Sequence, residues 1–513
     1  MSTSKLRRET GDWADYLILG GGTAGCVVAA RLLAAGHRVT VVEAGPDYGT
    51  LESGDWPTDL LDAAALPLTS HDWGHHGPGA DGQQLVFERA KVMGGCSSHN
   101  GCTQTVGWAG DYDRWSADGA LGWDAAGLRH DFDRASIAMR LRSYSEDEIQ
   151  PFHRAFITHC VEAGLSYRHD LHHLDGGQGV GCAPINTSEG VRFNTSFAYL
   201  DAVRDDPRLT IVDGATVDRI LVDDHTVTGA RFLRDGEIHT VNARHVVLCA
   251  GAYGSPEILL RTGIGPADHL EKFGIDVVLD RPGVGMNLHD HPTAQLEYEA
   301  SDELAGALAD FARTRWLPEE QAVAKLASPY SDGPYDLHVY PWVEPDDSTE
   351  SGWRVVFPVS QLRPKSRGTV RLKTADPTEP ALIDPGFLTD AAGADIGSLR
   401  FGLTWMLAHL ISPMLGRVLG APLHDLADGD GASVDAWIRG HHTHYWHPAG
   451  SCRMGSPSDP ASVVAHDGRV FGVEGLTIAD ASVFPTIPRA TPALPTVVVA
   501  ERISRFLLAA QQE

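Results

Sequence analysis

A mixed α/β (α+β) fold, with one domain on a parallel sheet and a second, discontinuous domain on an antiparallel sheet, is predicted by three observations. The chain opens with a strand, glycine turn, helix and strand; its middle carries short strands punctuated by turns; and its 513 residues exceed the size at which one hydrophobic core stops growing.

In order along the chain, residues 16–19 form a short apolar strand that meets Gly20-Gly21-Gly22-Thr23-Ala24-Gly25. Residues 26–35 have helical composition and residues 38–43 form a second strand ending on Glu43. This alternation of apolar runs and glycine punctuation reads as a βαβ unit. Residues 47–87 are rich in Gly, Pro, Asp and His, and are expected to cover a site rather than build a core. Short strands follow over 209–212, 220–222 and 227–233, with turns at Asp213-Gly214 and Asp235-Gly236. They read as a meander inserted into a parallel-sheet domain. A strand over 245–248 then meets a second glycine turn, Gly251-Ala252-Tyr253-Gly254, and a helix that stops near Gly263. Strands over 353–359 and 369–373 mark the second sheet. No repeat of solenoid period is present.

Apolar residues make up 42% and charged residues 21%, as in ordinary globular proteins. The formal charge of −27 repels polyphosphates and anionic lipid, which argues against nucleic acid or a membrane face as a partner. The same field favours cationic substrates, or serves solubility alone. Seven cysteines, Cys26, Cys96, Cys102, Cys160, Cys182, Cys249 and Cys452, show no CxxC pair and no metal spacing, so a reducing cytoplasm is expected. Residues 1–15 carry Lys5, Arg7 and Arg8, but glycines cut the apolar stretch from Tyr16 after four residues. Neither a signal peptide nor a membrane span is expected there.

Gly20, Gly22 and Gly25 stand at GxGxxG spacing. In such a turn the first glycine permits the bend, the second lets the backbone approach a pyrophosphate, and the third allows helix and strand to pack closely. The phosphates then sit at the positive end of the helix. Glu43, ending the next strand, stands where an acid accepts hydrogen bonds from a ribose. Together these predict a Rossmann-like domain that binds FAD or NAD rather than NADP.

Arg89-Ala90-Lys91-Val92-Met93-Gly94-Gly95-Cys96-Ser97-Ser98-His99-Asn100-Gly101 resembles the first signature of the glucose-methanol-choline (GMC) oxidoreductases. Gly251 to Pro256, continuing to Gly263-Ile264-Gly265-Pro266, resembles the second, with Thr262 in place of the usual serine. Pro282-Gly283-Val284-Gly285-Met286-Asn287-Leu288-His289-Asp290-His291 looks like the motif that follows it. His447-Pro448-Ala449-Gly450-Ser451-Cys452-Arg453-Met454-Gly455 resembles the catalytic histidine block, and Gly475 to Ser482 the flavin-contacting C-terminal block. The resemblance spans nearly the whole chain.

It implies FAD contacts by Gly20, Gly22, Thr23, Ala24, Gly25, Glu43 and Ala44, and by Arg89, Val92, Gly94, Gly95, Ser98, His99, Asn100 and Gly101. Val217, Ala250, Asp480, Ala481, Pro492 and Ala493 complete the implied set. Within the family, residues 90–100 are most like the choline oxidases, whose histidine before the asparagine is bonded to the flavin, so His99 is the expected tether. Implied boundaries are 1–155, 195–292 and 440–513 for the FAD-binding domain, and 156–194 and 293–439 for the substrate-binding domain.

An alcohol is a poor hydride donor while its oxygen holds a proton, so a base must lie within hydrogen-bond reach. His447 matches the family's position for that base; His444 matches no catalytic position, and His441 and His442 read as a solvated loop. No metal site is expected, since carboxylate and cysteine partners are missing nearby. Aligned on Thr496 and Glu501, Ala493 falls where the family pairs the base with asparagine or a second histidine. Either His447 acts alone, Thr491 or another pocket residue substitutes, or the reaction tolerates a weaker site. For the substrate, the resemblance to the choline oxidases implies Glu299 as the receiver of a cation and Trp446 as the aromatic that closes the pocket; Glu299 reads equally as a surface residue on an alternating strand, and Tyr340 and Trp342 as pocket walls or as core.

The expected activity is FAD-dependent oxidation of a primary or activated alcohol to the aldehyde, with oxygen or another acceptor as oxidant and a homodimer as the assembly considered. The alternative is acid–base chemistry like that of hydroxynitrile lyases, with structural FAD.

Overall fold

The computed structural model describes residues 13–410, 413–426 and 430–510. Lys5, Arg7 and Arg8 lie outside the described residues.

The first strand, β1 (Ala14–Leu19), is an almost unbroken apolar run, as a central parallel strand buried on both faces requires. It pairs in parallel with β2 (Val39–Val42) and with Glu237–Leu248, so that Leu17 lies opposite Thr40 and Val246. The helix α1 (Thr23–Ala34) connects β1 to β2. The full order is Leu209–Val212, β2, β1, Glu237–Leu248, Thr226–Arg234, Ala215–Asp223, with Leu476–Ile478 also on Glu237–Leu248. Residues 209–212 therefore extend the parallel sheet along β2 instead of starting the meander. Their turn at Asp213-Gly214 leads to the true meander of three strands, longer than expected because their outer residues are polar and half-exposed. Glu237–Leu248 serves both halves: its start pairs antiparallel with the meander and its buried end, Val246–Leu248, enters the parallel sheet.

The second sheet runs Leu419–Pro422, Pro292–Ala300, Trp353–Gln361, Leu337–Val339, Ala322–Leu326, Gly179–Cys182, with Trp342–Pro345 and Thr443–His444 attached. Every pairing in it is antiparallel. The strand expected at 369–373 is Thr369–Arg371, which pairs only with Leu382–Asp384 in a separate ribbon. Each large sheet has its own apolar core, one around Leu17, Val41, Val247 and Val498, the other around Leu296, Val339, Phe357 and Leu403.

The C-terminal helix Ala493–Ala509 packs on α1, where Glu501 bridges Arg31 at 2.5 Å and accepts from the Tyr199 hydroxyl at 3.0 Å. The loop leading into that helix is fixed by Arg489, fully buried, whose guanidinium meets the equally buried Asp111 and the carboxylate of Asp332. Removing one member of a buried pair strands the other charge. Arg489→Met is expected to lower the unfolding free energy by about 3–5 kcal/mol, read as a shift of the urea midpoint; an unchanged midpoint would contradict this role.

Candidate active site

One cavity collects residues from both sheets and from the loops between them, including the turn after β1, His99, Glu320, Tyr340 and His447. At one end, Gly20 has φ +102° and a Cβ there would stand 2.5 Å from the Cys249 carbonyl oxygen. A Cβ on Gly25 would lie 1.9 Å from the oxygen of Gly20, so the helix starts hard against the strand. Gly22 caps α1 with no side-chain hydrogen bond, leaving the first helical amides without a side-chain partner, as a pyrophosphate site requires. Glu43 accepts from the amides of Gly21 at 2.7 Å and Gly45 at 2.8 Å. Burial pushes its carboxyl up to about 7 against those bonds, and the residue lines the cavity.

Of the residues read as FAD contacts, Thr23, Ala24, Ala44, Arg89, Gly95, Asn100, Gly101, Val217, Ala250, Ala481, Pro492 and Ala493 line the cavity. Gly25, Val92, Gly94 and Ser98 do not; they stand behind its wall. Ser98 Oγ donates to the Met93 carbonyl at 3.0 Å and sits where Gly94 lacks a Cβ, while the Gly94 amide donates to Gly21 at 2.8 Å. These residues shape the turn from behind the cavity wall. Asp480 lines the cavity, yet its carboxylate accepts from Gly251 N at 2.8 Å, Ser255 Oγ at 2.5 Å and Ser482 N at 2.8 Å. It ties the second glycine turn to the C-terminal block.

The glycine cradle, the uncapped helix start and the acid fit the phosphate and ribose portion of FAD. Further along, His99 is 3% exposed, and its Nδ1 has no protein partner. Burial, with Arg89 and Arg192 adding to it, pushes this imidazole down to about 3, which keeps it neutral. Above it, Arg192 donates to the carbonyl oxygens of Asn100 at 2.7 Å, Asp59 at 3.2 Å, Leu60 at 2.7 Å and Ala65 at 2.6 Å. One guanidinium thus fastens the covering segment, read from sequence as residues 47–87, to the block that carries His99.

His447 faces the same cavity. Its amide donates to Asp290 Oδ1 at 2.9 Å, and the same oxygen accepts from the His291 amide at 2.7 Å. The rings meet through Nδ1 of His447 and Nδ1 of His291 at 3.0 Å. No bond from a described residue reaches His447 Nε2. Burial holds His447 well below the usual histidine range, with His291, Arg89, His338 and His444 adding to the effect. Trp446, one residue earlier, has φ +58°, a backbone conformation that costs about 1–3 kcal/mol and is held by Nε1 donating to Glu88 at 2.9 Å.

His291 and Asp290 were quoted in the sequence only as part of a motif. Their pairing with His447 spans more than 150 residues and leaves no local signal. Thr491 lines the cavity, but its hydroxyl is engaged by Thr103 O at 3.1 Å and Thr105 N at 3.0 Å. The ring that meets His447 is that of His291, buried behind the cavity wall, whereas the terminal motif offers Ala493.

Trp446 and Tyr340 form walls of the cavity, whereas Trp342 does not reach it. Glu299 does not reach it either: it lies eight residues beyond His291, roughly 27 Å along the strand, where Oε1 accepts from Glu350 N at 3.3 Å. One acid that does line the wall, Glu320, was not singled out in the sequence. His441 is exposed as expected, but His442 is fully buried, because its ring fills the space over Gly79 and Nε2 accepts from Ala80 N at 3.3 Å.

Family models for GMC oxidoreductase match residues 14–293 and 364–500. The chain is 34% identical to the 5-(hydroxymethyl)furfural oxidase of Methylovorus sp. (strain MP688), over 96% of this chain and 98% of that one. It is 31% identical to the choline oxidase of Arthrobacter globiformis, over 97% and 94% of the two chains. The solved structure of pyridoxine 4-oxidase from Mesorbium loti superposes with a TM-score of 0.84 at 25% identity, covering 97% and 99%. No helix among the described residues is long and apolar enough to cross a membrane. The chain belongs to the GMC oxidoreductase family and is an FAD-binding oxidoreductase of flavin-dependent alcohol oxidation.

Proposed function

We propose that the protein oxidises a primary or activated alcohol to the aldehyde with His447 as general base, and passes the electrons to oxygen. The observation that carries this reading is the buried His447–His291–Asp290 arrangement opening on the cavity that also holds the glycine turn and His99. FAD, when bound, supplies the acceptor for the hydride of the carbinol carbon.

The residues of the chain manage the proton. Nε2 of His447 takes it from the substrate hydroxyl, while Nδ1, which holds the neutral ring's hydrogen beforehand, keeps donating it to Nδ1 of His291. Asp290 holds both backbones, and the Nδ1–Nδ1 contact orients the two rings. The carbinol loses one proton and one hydride and becomes a carbonyl. Nothing in the family assignment favours the lyase alternative.

His99 is proposed as the covalent tether, supported by its neutral, unpartnered Nδ1 at the cavity wall. The domain boundaries read from the sequence are proposed on the two separate cores, and a cytoplasmic setting on seven cysteines that are all unpaired.

Anaerobic mixing with 5-(hydroxymethyl)furfural, choline and aromatic carbinols tests the reaction: at least one is expected to bleach the yellow flavin, and air is expected to restore it with release of peroxide. A flavin that no alcohol bleaches would overturn the proposal. Acid precipitation tests the tether, since colour is expected to stay with the chain and to leave it in His99→Ala.

A further inference from the structure

We propose that the Glu320 carboxyl determines substrate specificity by donating a hydrogen bond to an uncharged acceptor, a ring nitrogen or an ether or carbonyl oxygen, on the part of the alcohol remote from the carbinol. This rests on the reading that an alcohol occupies the cavity.

Glu320 precedes the strand Ala322–Leu326, and its side chain lines the cavity. It packs on Gly101, two residues after His99, so closely that a Cβ there would stand 2.2 Å from Oε2. Its side-chain partner is the Tyr340 hydroxyl, which is hydrogen-bonded in turn to Thr103 Oγ1. No ion pair involves Glu320 among the described residues. The cation beside it, Arg192, has its guanidinium turned to four backbone carbonyls.

The other groups facing it do not neutralise it. Glu319 adjoins it in the chain, Glu344 comes from the strand Trp342–Pro345, and Tyr144 donates to its main-chain oxygen at 3.2 Å. Burial, followed by the charges of Glu319 and Glu344, pushes the carboxyl up to about 8, against the opposing effects of Tyr340 and Arg192. In neutral solution the group holds its proton and offers an O–H donor. A substrate that supplies an acceptor satisfies that donor, and one that lacks it leaves the donor unpaired.

The test pair is 3-pyridinemethanol and benzyl alcohol, which differ by a ring nitrogen, with choline as the cationic comparison. Kd by anaerobic calorimetry and kcat/KM are both read, at pH 7 and across the alkaline range. The pyridine alcohol is expected to be preferred by about tenfold, the ratio one hydrogen bond supports. Glu320→Leu is expected to bring the ratio near one, and Glu320→Gln, which keeps a donor, to preserve it. In the native enzyme the preference should fall as pH passes through about 8, and in Glu320→Gln it should stay flat, which tests the idea even if the leucine variant does not fold. An unchanged ratio in Glu320→Leu, a pH-independent native ratio, or choline bound more tightly than both aromatic alcohols would overturn the proposal. Tenfold discrimination in Kd without flavin bleaching would sink the oxidation reading and leave this one standing.

Discussion

His447→Ala is expected to lower alcohol oxidation by about two to four orders of magnitude while the flavin stays bound. The ring is the proposed proton acceptor, and none of the hydrogen bonds of the glycine turn involves it. Stopped-flow reduction and the flavin-to-protein absorbance ratio separate the two effects; a rate within threefold of native would end the assignment. The pH dependence follows from the same geometry. Neutral His447 is the active form, and its pKa is depressed by burial and by neighbouring rings and Arg89. Activity should therefore persist as pH falls below the ordinary histidine value of about 6.5, and disappear only once the depressed pKa is crossed. Reversing the sign, an acid limb above that value would mean that the base is solvated or is another group.

Gly25→Val is expected to abolish flavin retention. The added Cβ would stand 1.9 Å from a backbone oxygen, and no side chain can move aside to relieve the clash. The start of α1 must shift off β1, taking with it the amides of Thr23 and Ala24 that border the cavity. Overpacking of this kind costs about 1–3 kcal/mol, and the lost cofactor removes its own contribution to stability. Purified protein should be colourless and melt lower. Gly306→Ala is the control: it lies inside the helix Asp302–Ala312 with nothing within 4 Å, and alanine there should leave colour intact. Flavin loss equal in both variants would show that the helix start is not the determinant.

What the sequence made legible follows from range. The βαβ unit, its acid and the second glycine turn are written in consecutive residues, and each appears where the punctuation placed it. Leu209–Val212 was misplaced because a short apolar strand looks alike in a meander and at the edge of a parallel sheet; only β2 as a neighbour decides. Glu299 and Glu320 are both acids next to apolar strands. Which of them meets the cavity depends on strand length and sheet order, and neither is local. His442 was taken for solvated because polar neighbours surround it in the chain, whereas its ring is covered by Gly79, hundreds of residues away in sequence. His291 was visible as a motif letter, but its contact with His447 exists only in three dimensions.

The grip of Arg192 on four carbonyl groups bears on how molecules come and go. A canopy pinned at Asp59, Leu60 and Ala65 by the same guanidinium that holds Asn100 is tied there to the block beneath it, unlike the mobile flaps that pace many enzymes. Opening the cavity at that place would require breaking those bonds together.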